Sequence, residues 1–160
     1  MARSTPRGRR GDAGIGRAAC VRVAQAMSQE NVEIVLRVMQ RFADHDLDAA
    51  LEDVDAEATL DWSNSDALDS GVYTGRAAWR AFVQERDAAL AERRVDTVEI
   101  LAATTDSVVL AGRIREQGRV SGVAVETRGA TVWTLRDGKV IRLEIYQSTD
   151  EALKAVGLEE

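Results

Sequence analysis

Residues able to do chemistry are few in this chain, and the choice narrows quickly. With one histidine, His45, and one cysteine, Cys20, the chain offers no His/Cys zinc cluster and no internal disulfide. A metal site would have to be built from carboxylates, and none is predicted; no cofactor is predicted either. His45 falls between two helical segments, away from any serine or cysteine pairing, so a nucleophilic triad is not expected. What remains is guanidinium, carboxylate and aromatic chemistry.

Their placement follows from one turn. Asp137-Gly138 is the strongest hairpin signal in the chain, because a type I′ turn needs positive φ at both central residues. Counting outward from it places Thr134, Val132, Ala130 and Arg128 opposite Ile141, Leu143, Ile145 and Gln147. That face is apolar except at its far end, and it is expected to be the helix-covered interior, with Arg128 and Gln147 at the mouth. An arginine there can hold a carboxylate, a phenolate or a developing enolate. The other reading of Arg128 pairs it with Glu126 at the sheet edge. The opposite face carries Trp133 and Tyr146 among charges and is expected to be exposed or to form a dimer contact.

The remaining candidates are weighed in the same way. Trp62 ends a strand on the side of Leu60 and either lines the cavity or packs the core, while Asp61 points the other way and is a poor base. Tyr73 and Trp79 flank a loop over the pocket, where they gate a ligand or staple the loop. Arg113 and Arg115 share a face whose side the pattern does not settle. The ligand-pocket candidates are thus Trp62, Tyr73, Trp79, Arg113, Arg128 and Gln147, with no residue assigned as catalytic.

Elements that position these side chains are legible from periodicity. Val32, Val35, Leu36, Met39 and Phe42 predict a helix over 29–43 with Ser28 as N-cap; Leu47 to Val54 predict a shorter one, and Asp44-His45-Asp46 separates them. Alternation predicts a strand at 58–62, a loop over 63–75, a helix over 76–91, then strands near 94–103, 107–116, 123–135 and 139–147. Ser148 with Glu151 forms a capping box for a short last helix that Gly157 ends. Helices followed by a meander imply α+β, with helices on one face of a curved sheet.

Composition sets the outer limits. At 160 residues, 45% hydrophobic and 30% charged, the chain suits one core plus a tail and no second large domain. Residues 1–27 hold six arginines against Asp12, a charge of +5, which leaves −11 for residues 28–160 out of the net −6. The tail is predicted to be a disordered basic extension and residues 28–160 the folded domain. An Arg-rich leader also fits a transit peptide or a nucleic-acid arm. The acidic balance argues against nucleic acid on the folded part. No apolar run reaches a membrane span, and none forms a secretory signal, so a cytoplasmic location is expected.

The segments Glu33-Ile34-Val35 to Phe42, Asp46 to Ala50, Ala58-Thr59-Leu60-Asp61-Trp62, Tyr73-Thr74-Gly75-Arg76, Val132 to Val140 and Glu151-Ala152-Leu153 resemble SnoaL-like proteins of the nuclear-transport-factor-two-like superfamily, over about residues 28–158. The resemblance implies a cone: a strongly curved antiparallel sheet wrapped around three helices, with a short C-terminal helix. It also implies an internal cavity for a small hydrophobic molecule and a homodimer through the sheet. It allows cofactor-independent cyclase, isomerase or hydrolase chemistry, or a non-catalytic binding or interaction module. Carried over by residue, the isomerase base falls on Trp62, the isomerase tyrosine near Val38 and its acidic donor near Arg128, so that apparatus is missing. Arg113 or Arg128 matches the arginine of the epoxide hydrolases without a pair of inward aspartates. Glu126 serves as a cyclase acid only if its register turns it inward.

Overall fold

The computed structural model describes residues 13–64 and 70–158, with side chains from Met27 onward except Thr97. Two helices come first, α1 (Ala13–Ala43) and α2 (Leu47–Glu52), then β1 (Val54–Asp61), β2 (Val72–Thr74) and α3 (Arg76–Ala89). The strands β3 (Leu90–Ala103), β4 (Ser107–Gly118), β5 (Ala124–Arg136) and β6 (Lys139–Tyr146) follow, and α4 (Thr149–Ala155) closes the chain. The sheet is six-stranded in the order β2-β1-β6-β5-β4-β3 and strongly curled. It is mixed rather than purely antiparallel, because β1 returns alongside β6 in parallel.

α1 begins at Ala13, well before the expected start, so Ser28 lies inside the helix and is not its N-cap. Good helix formers such as Ala18, Ala19, Ala24 and Gln25 let the backbone continue upstream without a break. Residues 1–12 of the predicted extension lie outside the described residues. At the other end the N–H of His45 donates to the Phe42 carbonyl at 3.1 Å and that of Asp46 to the Arg41 carbonyl at 3.0 Å. His45 sits at φ +58°. That is a Schellman ending with histidine in the left-handed position usually given to glycine.

Along the concave face of the sheet, Ile34, Val35 and Val38 of α1, Leu51 of α2, and Trp79 and Phe82 of α3 pack against Leu60, Val108, Leu110, Trp133, Leu135, Val140 and Leu143. A smaller cluster forms on the convex face, where Ala152, Leu153 and Val156 around α4 cover Val109, Ala130 and Val132. Both faces of β5 are therefore covered from Ala130 to Leu135, one by α1 to α3 and the other by α4.

This arrangement overturns the predicted face assignment. Asp137 and Gly138 do take positive φ, 52° and 75°, and Arg136 meets Lys139 as expected. A bulge then intervenes: Leu135 pairs with Val140, but Thr134 pairs with Arg142, leaving Ile141 without a partner. Beyond the bulge Trp133 faces Leu143 and Val132 faces Glu144, and it is Trp133 and Leu135, not Val132 and Ala130, that pack under the three helices. Trp133 is 3% exposed and cannot be a surface contact. Tyr146 packs half-buried beside α4.

Candidate functional site

α3 brings together the residues of a cleft. Phe82, Glu85, Arg86, Ala89 and Leu90 line a space of about 250 Å³ at its C-terminal end. Three and four residues apart, Phe82, Glu85, Arg86 and Ala89 share one helical face, the face that Trp79 anchors by donating its Nε1–H to the Ala58 carbonyl at 3.0 Å, and Leu90 opens β3 beside them. Phe82 contacts Tyr73 at a centroid distance of 4.7 Å and Trp62 at 5.7 Å. The Arg86 guanidinium lies 4.9 Å from the Trp62 ring centroid, within cation–π range. Tyr73 reaches this place because β2 pairs it with Leu60, in a stretch expected to be loop. Residues 65–69 of that predicted loop lie outside the described residues.

A carboxylate from the sheet orients the arginine. Arg86 Nη2 donates to Glu116 Oε1 at 2.9 Å, and Arg93 Nε stands 3.4 Å from the same oxygen. Glu116 points here because β4 alternates, and Leu110 on the same side of the strand is in the concave core. Desolvation is the main influence on Arg93 and lowers its pKa; Glu116 opposes this and the Arg86 charge adds to it. At the rim, Arg119 Nη2 donates to the Leu90 carbonyl at 3.1 Å. Among the described residues, Trp62 Nε1 is the buried side-chain polar atom without a hydrogen-bond partner. Such a group weakens the fold unless something else binds it.

The sequence-predicted residues divide between the two faces. Trp62, Tyr73 and Trp79 lie on the concave side; Trp79 is fully buried as core, while Trp62 and Tyr73 pack against Phe82 of the cleft wall. Arg113 and Arg128 are cross-strand partners and face the convex side, where Arg113 pairs with Glu126 at 3.3 Å. Arg128 and Gln147 are both exposed, and neither is among the residues that line the cleft at the end of α3. Arg128 is turned away because the three helices cover Trp133 and Leu135, and Arg128 alternates with that row on the side of Ala130 and Val132. Glu126 lies on the convex side as well, tied to Arg115 at 3.1 Å, and is not an inward acid. Arg86 and Glu116 were not anticipated. The available signal was a charge at a core position, because Arg86 falls four residues after Phe82 on the apolar stripe of its helix.

A second polar cluster lies on the convex side of β1 and β6. Asp61, 8% exposed, accepts from Ser63 Oγ at 2.5 Å and from Arg142 Nη2 at 2.8 Å. Arg142 also approaches Glu144 at 3.3 Å, and the Tyr146 hydroxyl donates to Glu144 at 3.1 Å. Burial first, then the Glu144 charge and hydrogen bond, push the Tyr146 hydroxyl up to about 12. For Asp61 burial raises the pKa, but the Ser63 hydrogen bonds and the Arg142 charge outweigh it and the net shift is downward. A lowered folded-state pKa contributes stability that is present above the unfolded value and is lost as pH falls through the folded one. Stability should therefore decline on acidification below about pH 4, the ordinary carboxylate range, and Asp61→Asn should flatten that decline. Denaturation midpoints taken across acidic pH would show this; equal slopes for both proteins would remove Asp61 as a cause.

Among the described residues no helix is long and apolar enough to cross a membrane. No curated protein matches the chain. Solved structures do. A candidate polyketide cyclase from Xanthomonas campestris pv. campestris superimposes with TM-score 0.67 at 18% identity, covering 81% of this chain and 98% of that one. An NTF2-like protein from Burkholderia xenovorans LB400 gives 0.67 at 22%, covering 80% and 96%. TerC, co-crystallised with polyporic acid, gives 0.64 at 22%, covering 80% and 98%. At these identities the likeness establishes the α+β cone. The model of the SnoaL-like domain matches residues 35–143, which run from the core of α1 to the middle of β6 and include α3 with its cleft. This chain belongs to the SnoaL-like family.

Proposed function

We propose that the domain, beginning near residue 28, binds a small hydrophobic molecule bearing an anionic or acceptor oxygen in the cleft at the end of α3. One observation carries this reading: Arg86 is stacked over Trp62 and held by Glu116 at the wall of an aromatic-flanked cleft. A guanidinium placed against an aromatic ring offers directed donors in a poorly hydrated place. The cleft is slightly smaller than the roughly 300–1,000 Å³ of drug-sized sites, which suits a ligand of one or two rings. The role first expected for Arg128 passes to Arg86, on the other face of the sheet.

Titration with 2-naphthoate, followed by tryptophan fluorescence, tests the reading. Arg86→Ala should weaken binding by about tenfold or more, the scale of a lost charge-assisted hydrogen bond, and Arg128→Ala should leave it unchanged. The proposal fails if the unaltered protein does not bind 2-naphthoate at all.

A second reading, cofactor-independent acid–base catalysis, is supported by Glu85 on the cleft wall, where a carboxylate could transfer a proton to or from a bound carbonyl compound. Homodimerisation through the convex face of the sheet belongs to the same proposal, with contacts other than Trp133.

A further inference from the structure

We infer that the ligand of this cleft is elongated: an aliphatic carboxylate whose head group meets Arg86 and Arg93 and whose chain lies along the uncovered part of the concave face. The inference rests on the cleft reading and extends it to a ligand class. Beyond the three helices the concave face continues on β3, β4 and β5. Leu110 and Glu116 mark its side of β4, and their row continues through Gly112 and Ile114. The β3 partners of that row are Ile100, Val98, Val95 and Arg93 in order. Ile100 is 46% exposed, Val98 and Val95 are each 39% exposed, and Val125, opposite Glu116 on β5, is 52% exposed. These side chains form an apolar strip that ends at Arg93 and the cleft.

The strip has a floor without side chains. Gly112 faces Gly129 across β4 and β5, with Val98 beside Gly112, so a trough opens where two alternating strands would otherwise project bulk. A Cβ at Gly129 would stand 3.0 Å from the Tyr146 carbonyl oxygen, so β6 crowds this side of Gly129 and bounds the trough there. From Arg93 to Ile100 the trough runs roughly 20 Å at about 3.3 Å per residue, the scale of an extended alkyl chain.

Charge selects the head group. Residues 28–160 carry −11 overall, whereas Arg86, Arg93 and Arg119 meet at the cleft against an equal number of acids, Glu85, Glu116 and Asp87. Glu116 engages both Arg86 and Arg93 through one oxygen, which holds the two guanidinium groups side by side. An anion at the head and an apolar chain along the strip complement both ends of the trough.

The experiment is a chain-length series of alkanoates, hexanoate, decanoate and tetradecanoate, titrated against the full chain with 2-naphthoate as the reference for the cleft. Affinity should rise by about twofold per added methylene, less than full burial would give because the trough stays open on one side. Gly112→Leu and Ile100→Glu should each abolish that rise while leaving 2-naphthoate affinity intact, which also shows that the variants are folded. Val72→Glu, at an exposed apolar site on β2, should leave the series unchanged. If 2-naphthoate binds and alkanoate affinity is flat with length, the inference fails and the cleft reading stands. If 2-naphthoate and the alkanoates all fail to bind, the cleft reading fails with it. A dimer by light scattering that Ile100→Glu dissociates would assign the strip to a second copy and overturn the inference; a dimer indifferent to that substitution supports it.

Discussion

Trp133→Ala is expected to destabilise the protein by about 3–5 kcal/mol, the cost of emptying a large aromatic site in a packed core. Trp133 lies between Val108 and Leu143 on the neighbouring strands, beneath the helices, and its Nε1–H donates to Thr131 Oγ1 at 2.9 Å. For a domain whose whole stability is about 5–15 kcal/mol, the loss should lower the melting temperature by on the order of 10 °C. Urea denaturation at two protein concentrations is the measurement. Were Trp133 an outward contact between copies, the variant would dissociate a dimer and leave unfolding of the monomer nearly unchanged. Arg128→Ala, at an exposed position, should stay within about 0.5 kcal/mol. The pair of variants thus reads out which face of β5 the helices cover.

Trp79→Ala should cost a similar 3–5 kcal/mol, and it should also disturb ligand binding, because Trp79 fixes the helix that carries Phe82, Glu85 and Arg86. Trp79→Phe separates volume from hydrogen bonding. The Ala58 carbonyl accepts from the Gly75 N–H at 2.9 Å as well as from the indole, so it keeps a partner when the indole nitrogen is removed. The phenylalanine variant should therefore lose about 1 kcal/mol for the hydrogen bond, plus a smaller packing loss, and retain 2-naphthoate affinity. Equal destabilisation by the two variants would show that the hydrogen bond, and not the bulk of the ring, holds α3 to β1.

Short-range patterns carried much of the fold. The Asp137-Gly138 turn, the Ser148–Glu151 cap, in which Ser148 Oγ accepts from the Glu151 N–H at 3.2 Å, and the apolar stripe of α3 each depend on residues a few positions apart. The three-residue strand β2 escaped notice because it is too short for alternation to register. Of the candidate site, Trp62 and Tyr73 were legible as aromatics near a loop. Arg86 was hidden by convention, since a charge within an apolar stripe reads as an interruption until a partner such as Glu116 is known. The glycines at 112 and 129 carry no periodic signal at all, and only strand pairing sets them opposite one another.

The face of β5 shows where local information stops. Val132 and Ala130 alternate with Trp133 and Leu135, and all four are buried, so hydrophobic alternation cannot rank one side above the other. The residues themselves specify helix, strand and turn, because those depend on backbone preferences and on neighbours within about one turn or one hairpin. Which side of the sheet becomes the interior depends on α1 and α3 packing from one direction and α4 from the other, and on one unpaired residue, Ile141, that shifts the register of β6. Those are interactions between segments far apart in the chain, and the position of Arg86 over Trp62 is decided by them.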